Sequence, residues 1–340
     1  MNQVGFGVIG VGIFGELHAM TYSRLPDARL VAVCDLNEQR AAEVARKYGA
    51  SAYTTDYHEL LANPEIKAVS IATPDFAHRD IAVAAARAGK HILVEKPLAT
   101  TVEDAEAILA AVKDAGVKLM VDFHNRCNPA FTNAKQAIQA GDVGRPVYVY
   151  ARLSNTTYVA TQMLSWGSRT SALWFLGSHV MDLVHWLLED EPKRVYAVTR
   201  SGILKAKGID TQDFHIAIVE FKGGAVATLE NAWILPETEP MVFNFKFELL
   251  GSAGSIYANT SDHRATEKYT ATTSSLPDVL GVIPTSPLRI GGFVLEAIGQ
   301  FVDAVVHDRP VLATGEDGLL VTRVLRAIIQ STETGLPVDL

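Results

Sequence analysis

Cysteine is nearly absent. Cys34 and Cys127 are the only two in 340 residues and stand far apart, which excludes a disulfide framework or a cysteine-rich zinc site and fits a reducing compartment. No stretch approaches the roughly 18 consecutive apolar residues of a membrane-spanning helix. The N-terminus runs at once into an apolar strand pattern, "NQVGFGVIG", with no basic segment or cleavage signal. Positive charge is scarce too: 30 Lys and Arg against 38 Asp and Glu leave a formal net charge of −8, and no dense basic cluster offers itself to nucleic acid. Repeats and low-complexity tracts are missing. These absences set aside nucleic-acid partners and membrane insertion and predict a cytoplasmic protein. With 48% hydrophobic and 20% charged residues, the composition is ordinary for a globular chain. Its length exceeds what one core usually serves, so two domains are expected.

Through the first 120 residues, short runs rich in Val, Ile and Leu ("VGFGVIG", "LVAVCD", "AVSIAT", "HILVE", "KLMVDF") alternate with helical stretches that each end at a glycine. Strand and helix in this alternation predict a parallel sheet covered by helices. Into it falls "GVGIFG", residues 10–15, whose Gly10, Gly12 and Gly15 have the G-x-G-x-x-G spacing and flank Ile13 and Phe14. The first glycine permits a tight turn, the second lets backbone approach a pyrophosphate, and the third lets helix and strand pack closely. The phosphates would meet free N–H groups at a helix N-terminus. Asp35 lies twenty residues beyond Gly15, at the end of the second strand, where a carboxylate accepts from a ribose 2′-hydroxyl and repels a 2′-phosphate. This favours NAD over NADP, with Arg40 the nearby cation that speaks for NADP. Ligands of such sheets bind beyond the C-terminal strand edges. Two further edges therefore matter: "IATPDFAH", with Thr73, Pro74 and His78, and "HILVEKPLAT", an apolar strand ending in Glu95 and Lys96 before Pro97.

These motifs, with "CDLN", "NRCNPAF" and the closing segment from Phe301 to Leu340, resemble the glucose-fructose oxidoreductase and inositol dehydrogenase (Gfo/Idh/MocA) family nearly end to end. The resemblance implies a Rossmann domain and then an α/β domain with a large open, mainly antiparallel sheet that packs on a partner subunit, giving a homodimer or homotetramer. It implies oxidation or reduction of a hydroxyl or carbonyl on sugars and polyols, with Lys96 of "EKP" as catalytic acid/base or substrate anchor. Pro97 is implied to follow a cis peptide. From the residues themselves, "VYVYARLS", "RVYAVTRS", "DFHIAIVEF", "AVATLENAWI" and "FNFKFELLG" read as strands, several with period-two alternation. The boundary is placed near residue 124: 1–123 dinucleotide-binding and 124–340 substrate-binding and oligomerising, with the last helices packing back on the interface.

One apolar stretch, "ALWFLGSHVMDLVHWLL" (172–188), carries His179, Asp182 and His185. As a helix alone it leaves metal ligation, proton transfer and structural polarity open. His185 lies six residues beyond His179, about 9 Å along a helix axis, too far for the two imidazoles to share an ion at i,i+3 or i,i+4 spacing, so no metal is expected. The family resemblance implies that His179 is the active-site histidine and that an Asp should stand four residues before it. That position is Phe175, so the implied Lys, Asp and His trio becomes Lys96 and His179 with an apolar wall. Asp182 is a second candidate, orienting His179 or capping backbone, and His185 reads as a satisfied buried histidine. Weaker candidates for substrate contact are His124 and Arg126 in "DFHNRCNP" and Trp166 and Arg169 in "SWGSRTS". His215 reads as surface or sheet packing. The expected activity is hydride transfer between a nicotinamide and a secondary hydroxyl or carbonyl of a sugar, inositol or related polyol, with Lys96 and His179 converging on the reacting oxygen. The alternatives are a cofactor-retaining glycoside-cleaving or epimerising enzyme, and a ligand-sensing regulator without turnover.

Overall fold

The structure, a computed structural model, describes residues 3–261, 267–270, 272, 274–276, 278, 280–282 and 291–340. The chain folds as two compact units, Met1–Cys127 with Leu280–Leu320, and Asn128–Val279 with Val321–Leu340.

In the first unit, β1 (Val4–Ile9), β2 (Ala28–Cys34), β3 (Ala52–Thr54), β4 (Ile66–Ile71), β5 (His91–Val94) and β6 (Leu119–Val121) form one sheet in the order β3-β2-β1-β4-β5-β6. Every pairing is parallel. Buried on both faces, β1, β2, β4, β5 and β6 need near-continuous apolar sequence, which they have, whereas the short edge strand β3 is largely exposed. The crossovers carry α1 (Ile13–Arg24), α2 (Glu38–Tyr48), α3 (Tyr57–Ala62), α4 (His78–Arg87) and, between β5 and β6, α5 (Val102–Ala115). Local chemistry sets the helix ends. The Asn37 side chain accepts from Arg40 N at 3.1 Å and Thr101 from Asp104 N at 3.1 Å, each satisfying an orphan donor of a first turn. At the other ends, Gly49 and Gly116 adopt the left-handed conformation that favours glycine. The order reverses between β1 and β4, the switch point at which doubly wound sheets bind dinucleotides. The core packs Phe6, Val8, Tyr22, Leu30 and Val33 against Leu295, Ile298 and Phe301, so the helix Phe293–Val306 belongs to this unit.

The second unit is built on a seven-stranded sheet. Its strands β7 (Pro146–Asn155), β8 (Pro192–Arg200), β9 (Phe214–Phe221), β10 (Val226–Ala232), β11 (Phe243–Gly251) and β12 (Ser255–Asn259) lie in the order β12-β11-β7-β10-β9-β8, and Val338–Asp339 adds to the β8 edge. Only β7 with β10 is parallel. The β9–β10 hairpin closes over "KGG", with Phe221 N donating to Ala225 O at 2.9 Å and Gly224 in the left-handed region. Helices α6 (Pro129–Gln139) and α7 (Ser178–Leu188) belong to this unit. Tyr196, Ile218, Thr228, Tyr150 and Glu248 lie side by side across neighbouring strands. In that row Tyr196 and Ile218 are exposed, which leaves an apolar stripe on the sheet.

His215 of β9 points to the buried side with Ala217, Val219 and Phe221, and burial drives its pKa from 6.5 down to about 4. Between those values the unfolded chain holds a proton that the folded chain refuses. Stability present above the unfolded pKa is therefore lost as pH falls through the folded one, by an amount of order 3 kcal/mol. His215→Leu is expected to flatten the decline of melting temperature from pH 6.5 to pH 4; an unchanged slope would assign that proton uptake to another group.

Candidate active site

The turn after β1 is shaped by its glycines. Gly10 has φ +83, a region L side chains rarely adopt. A Cβ on Gly15 would stand 1.8 Å from Gly10 O, whereas one on Gly12 would meet nothing within 4 Å. The first contact is helix-to-turn packing; the second is open space in front of the α1 N-terminus, where Ile13 is exposed and Phe14 half-buried. Asp35 is half-buried, and its oxygens accept from Val11 N and Asn37 N at 2.9 Å each, so it braces the turn while keeping lone pairs for a further donor. Arg40 is committed elsewhere. Its Nε donates to Val11 O at 2.8 Å, and its terminal nitrogens pair with Glu16 and Glu43. Burial works to raise the Glu16 carboxyl, but hydrogen bonds from Lys47, Arg40 and Tyr48 hold it down at about 2. At the β4 edge, the Thr73 hydroxyl is buried without a hydrogen-bond partner among the described residues, and Pro74 is half-buried. His78 is wholly enclosed, its ring nitrogens 2.8 Å from Pro97 O and 3.0 Å from Thr73 O. It ties the β4 and β5 exits together rather than facing open space. The open Gly12, the free lone pairs of Asp35 and the unmatched Thr73 hydroxyl fit a dinucleotide.

At the β5 exit, Glu95 and Lys96 are both buried, and the Lys96–Pro97 peptide is cis. Burial pulls the Lys96 pKa down, against the opposing pull of Glu95, Asp75 and Asp122. Sequence reasoning missed the group around this pair. His18 on α1 places Nε2 3.3 Å from Glu95 and 3.6 Å from Asp122, and its Nδ1 lies 2.8 Å from Ser70 Oγ, which in turn is 2.5 Å from the Tyr22 hydroxyl. Tyr22, Ser70, His18 and Glu95 thus form one continuous buried chain of hydrogen-bonding groups. Asp122 was legible by the rule that singled out Glu95, since it too ends an apolar strand ("KLMVDF"). His18 and Tyr22 carry the i,i+4 spacing that puts both on one helix face.

His124 is buried with its ring 5.7 Å from that of Phe293; burial first, and then the nearby Lys96 and His18, drive its pKa to about 4 despite Glu95. Arg126 donates to Leu312 O at 3.0 Å and pairs with Asp317 at 3.3 Å. Burial alone would raise the Asp317 pKa, but Arg126 and Thr314 hold it low. This is an ion pair inside the first unit, and the guanidinium is 6% exposed.

In the second unit, π-type turns at Val159–Met163 and Leu173–Gly177 flank the loop that carries Trp166 and Arg169. Such turns are frequent at functional sites. Phe175 is half-buried between Trp166, with ring centroids 6.4 Å apart, and Trp233 at 5.7 Å. The sequence pattern did not bring out Trp233. Arg169 is exposed. His179 and Asp182 are buried on the first turns of α7, at 7% and 1% exposure. His185 is half-buried, its Nδ1 3.0 Å from Asp190 O.

Residues 4–123 match the family described as "Oxidoreductase family, NAD-binding Rossmann fold", and residues 131–257 match "GFO/IDH/MocA C-terminal domain". The chain belongs to the Gfo/Idh/MocA oxidoreductases. Among its relatives within that family, scyllo-inositol 2-dehydrogenase (NAD(+)) of Bacillus subtilis (strain 168) is 30% identical, over 100% of this chain and 97% of that protein. Levoglucosan dehydrogenase of Pseudarthrobacter phenanthrenivorans is also 30% identical, over 97% of this chain and 96% of its own length. GenD2 from gentamicin A biosynthesis, solved in complex with NAD, superposes with a TM-score of 0.86 at 26% identity, covering 100% of this chain and 97% of GenD2. This Gfo/Idh/MocA chain is thus an enzyme of the oxidoreductase class with an NAD-binding Rossmann unit.

Proposed function

We propose that the protein is an NAD-dependent dehydrogenase acting on a secondary hydroxyl of an inositol, cyclic sugar or related polyol, with Lys96 as the acid/base. The observation that carries this reading is the buried Lys96 at the β5 exit, in the same unit as the glycine turn and with its pKa drawn downward. Bound NAD supplies the hydride acceptor; the chain's own part is the proton. Removing it from a secondary alcohol needs a base poised near neutral pH, and a desolvated amine meets that need better than one in water. Gly10, Gly12, Gly15, Asp35 and Thr73 are assigned to the dinucleotide. His179 is assigned to a substrate hydroxyl, with Asp182 beside it on α7, and Trp166 and Phe175 to an apolar sugar face. The relatives act on inositol and an anhydrosugar by their names, which supports the substrate class. The apolar stripe on the second sheet is assigned to contact with a second copy.

The decisive experiment follows reduced-cofactor absorbance over a panel of inositols, aldoses and glycosides with NAD and with NADP. NADH formation from a polyol or sugar is expected. Turnover of a glycoside without net NADH would instead establish the cofactor-retaining reading, and binding without any turnover a sensor.

NAD preference follows from Asp35 and from the engagement of Arg40 with Glu16, Glu43 and Val11 O. Asp35→Ala removes a charged acceptor, a loss of about 1.5–3 kcal/mol, and is expected to lower NAD preference over NADP roughly tenfold or more. Because Asp35 also braces Val11 and Asn37, affinity for both cofactors should fall together. An unchanged NAD-to-NADP ratio in kcat/KM would reassign the ribose contact.

A further inference from the structure

The carboxyl groups of Glu95 and Asp122 are neighbours in the core of the first unit because their strands end in register. Val94 pairs with Val121, and Asp122 N donates to Val94 O at 2.9 Å. With His18 they bring one donor atom each within 4.8 Å of one another. The side chains of Glu95 and Asp122 are 7% and 1% exposed, so water does little to separate their charges. One imidazole N–H cannot serve both: at 3.3 Å it reaches Glu95, and at 3.6 Å from Asp122 it is beyond a hydrogen bond. Among the described residues, neither Asp122 oxygen has a donor in hydrogen-bonding range. A buried carboxylate without donors beside a second carboxylate cannot remain ionised at modest cost; one of the two takes a proton, which then makes the missing hydrogen bond.

We propose that Glu95 and Asp122 hold one proton between them and present a single negative charge to Lys96, positioning its ammonium and setting the pH at which it yields a proton. The charged and titratable groups around the pair are His18 and Tyr22 from α1, Lys96 beyond β5, His124 and Cys127 beyond β6, and Asp75, which faces Lys96. Burial raises the Glu95 pKa, but the hydrogen bond from His18 and the charge of Lys96 more than offset it, so Glu95 keeps the charge. Burial and Glu95 together push Asp122 well up. Two carboxyls whose environments drive them apart in this way titrate as a pair. Phe175 stands where the family resemblance calls for a carboxylate. Asp122 brings a carboxyl to the lysine from within its own unit, in a form that adds a proton acceptor without a second full charge.

The coupling to Lys96 rests on the acid/base role given above; the shared proton does not, and the tests separate the two. Infrared difference spectra at neutral pH should show the C=O stretch of a protonated carboxyl in the wild type. The band should vanish in Asp122→Asn, and in Glu95→Gln as well, because Asp122 then ionises in Glu95's place. No such band in the wild type overturns the proposal; a divalent cation would take the same donors only with both carboxyls ionised, and so gives that negative result. In the pH profile of kcat/KM for alcohol oxidation, each single variant keeps one negative charge beside Lys96. The double variant loses the pair's charge altogether, leaving only Asp75 facing Lys96, and should move the acid limb to lower pH by about 1–3 units, with each single variant moving it by less than half as much. A single substitution that shifts the limb as far as the pair overturns the coupling. If Lys96→Met remains active, the acid/base reading falls while the infrared result stands.

Discussion

Lys96→Met is expected to lower turnover by about 10²–10⁴-fold, the usual contribution of a positioned general acid or base, while NAD affinity stays within a few-fold. Lys96 is 7% exposed, and methionine has similar length and no charge. The substitution removes a buried cation whose desolvation opposes folding, so the variant should remain folded. What it cannot do is accept the hydroxyl proton. Glu95 and Asp75, which now face Lys96, lose a counter-charge, and Glu95 should bind a proton more readily in the variant. The dinucleotide contacts assigned to Gly12, Asp35 and Thr73 lie on β1, β2 and β4 exits and are untouched. The check is steady-state kinetics with a responsive polyol, together with fluorescence titration of NAD. Wild-type turnover would remove Lys96 from the chemistry; normal folding with lost NAD binding would make it a cofactor anchor.

The sheet of the first unit could be read from sequence because burial on both faces forces continuous apolar runs, and two of the helices between them, α2 and α5, end at left-handed glycines. The dinucleotide turn could be read because three glycines have three separate steric jobs at fixed spacing. The His18, Glu95 and Asp122 group could not be assembled that way. Its members are 77 and 27 residues apart in sequence, and only the lateral adjacency of β5 and β6, with α1 laid alongside, joins them. Strand order is a property of the whole sheet, and no local pattern encodes it. His215 was ambiguous for a related reason. On β9 the outward residues Phe214, Ile216 and Ile218 are as apolar as the inward Ala217, Val219 and Phe221, so alternation could not say which face was core. Arg126 and His78 read as candidates for ligand contact because they are polar residues near strand ends. Their partners, Asp317 on the C-terminal helix Gly315–Thr334 and Pro97 O after β5, are remote in sequence.

Gly15→Ala and Gly12→Ala, one methyl group each and three residues apart, are expected to fail in different ways. At Gly15 the new Cβ would sit 1.8 Å from Gly10 O and 2.8 Å from Gly10 C. Those are backbone atoms and cannot rotate away as a side chain would. Gly10 itself is held at φ +83 with its own Cβ position 2.7 Å from Ala72 O, so the turn cannot retreat toward β4. Either α1 lifts off β1 or the turn unwinds. The core then loses part of the packing that Ala19 and Tyr22 of α1 make with Phe6 and Val8. A cost above about 4 kcal/mol is expected, the range reserved for forced backbone strain and broken cores, with NAD binding lost along with the turn. At Gly12 a Cβ would meet nothing within 4 Å among the described residues, and φ is −64, outside the left-handed region that favours glycine. Gly12→Ala should therefore melt within a degree or two of the wild type, since a substitution free of clash usually changes stability by no more than about 0.5 kcal/mol. Its methyl instead occupies the space assigned to the pyrophosphate and should weaken NAD while sparing the fold. Calorimetry and NAD titration on the two variants read these separately. A stable Gly12→Ala with undiminished NAD affinity would place the phosphates elsewhere, and a stable Gly15→Ala would mean that the turn has room the packing around Gly10 does not show.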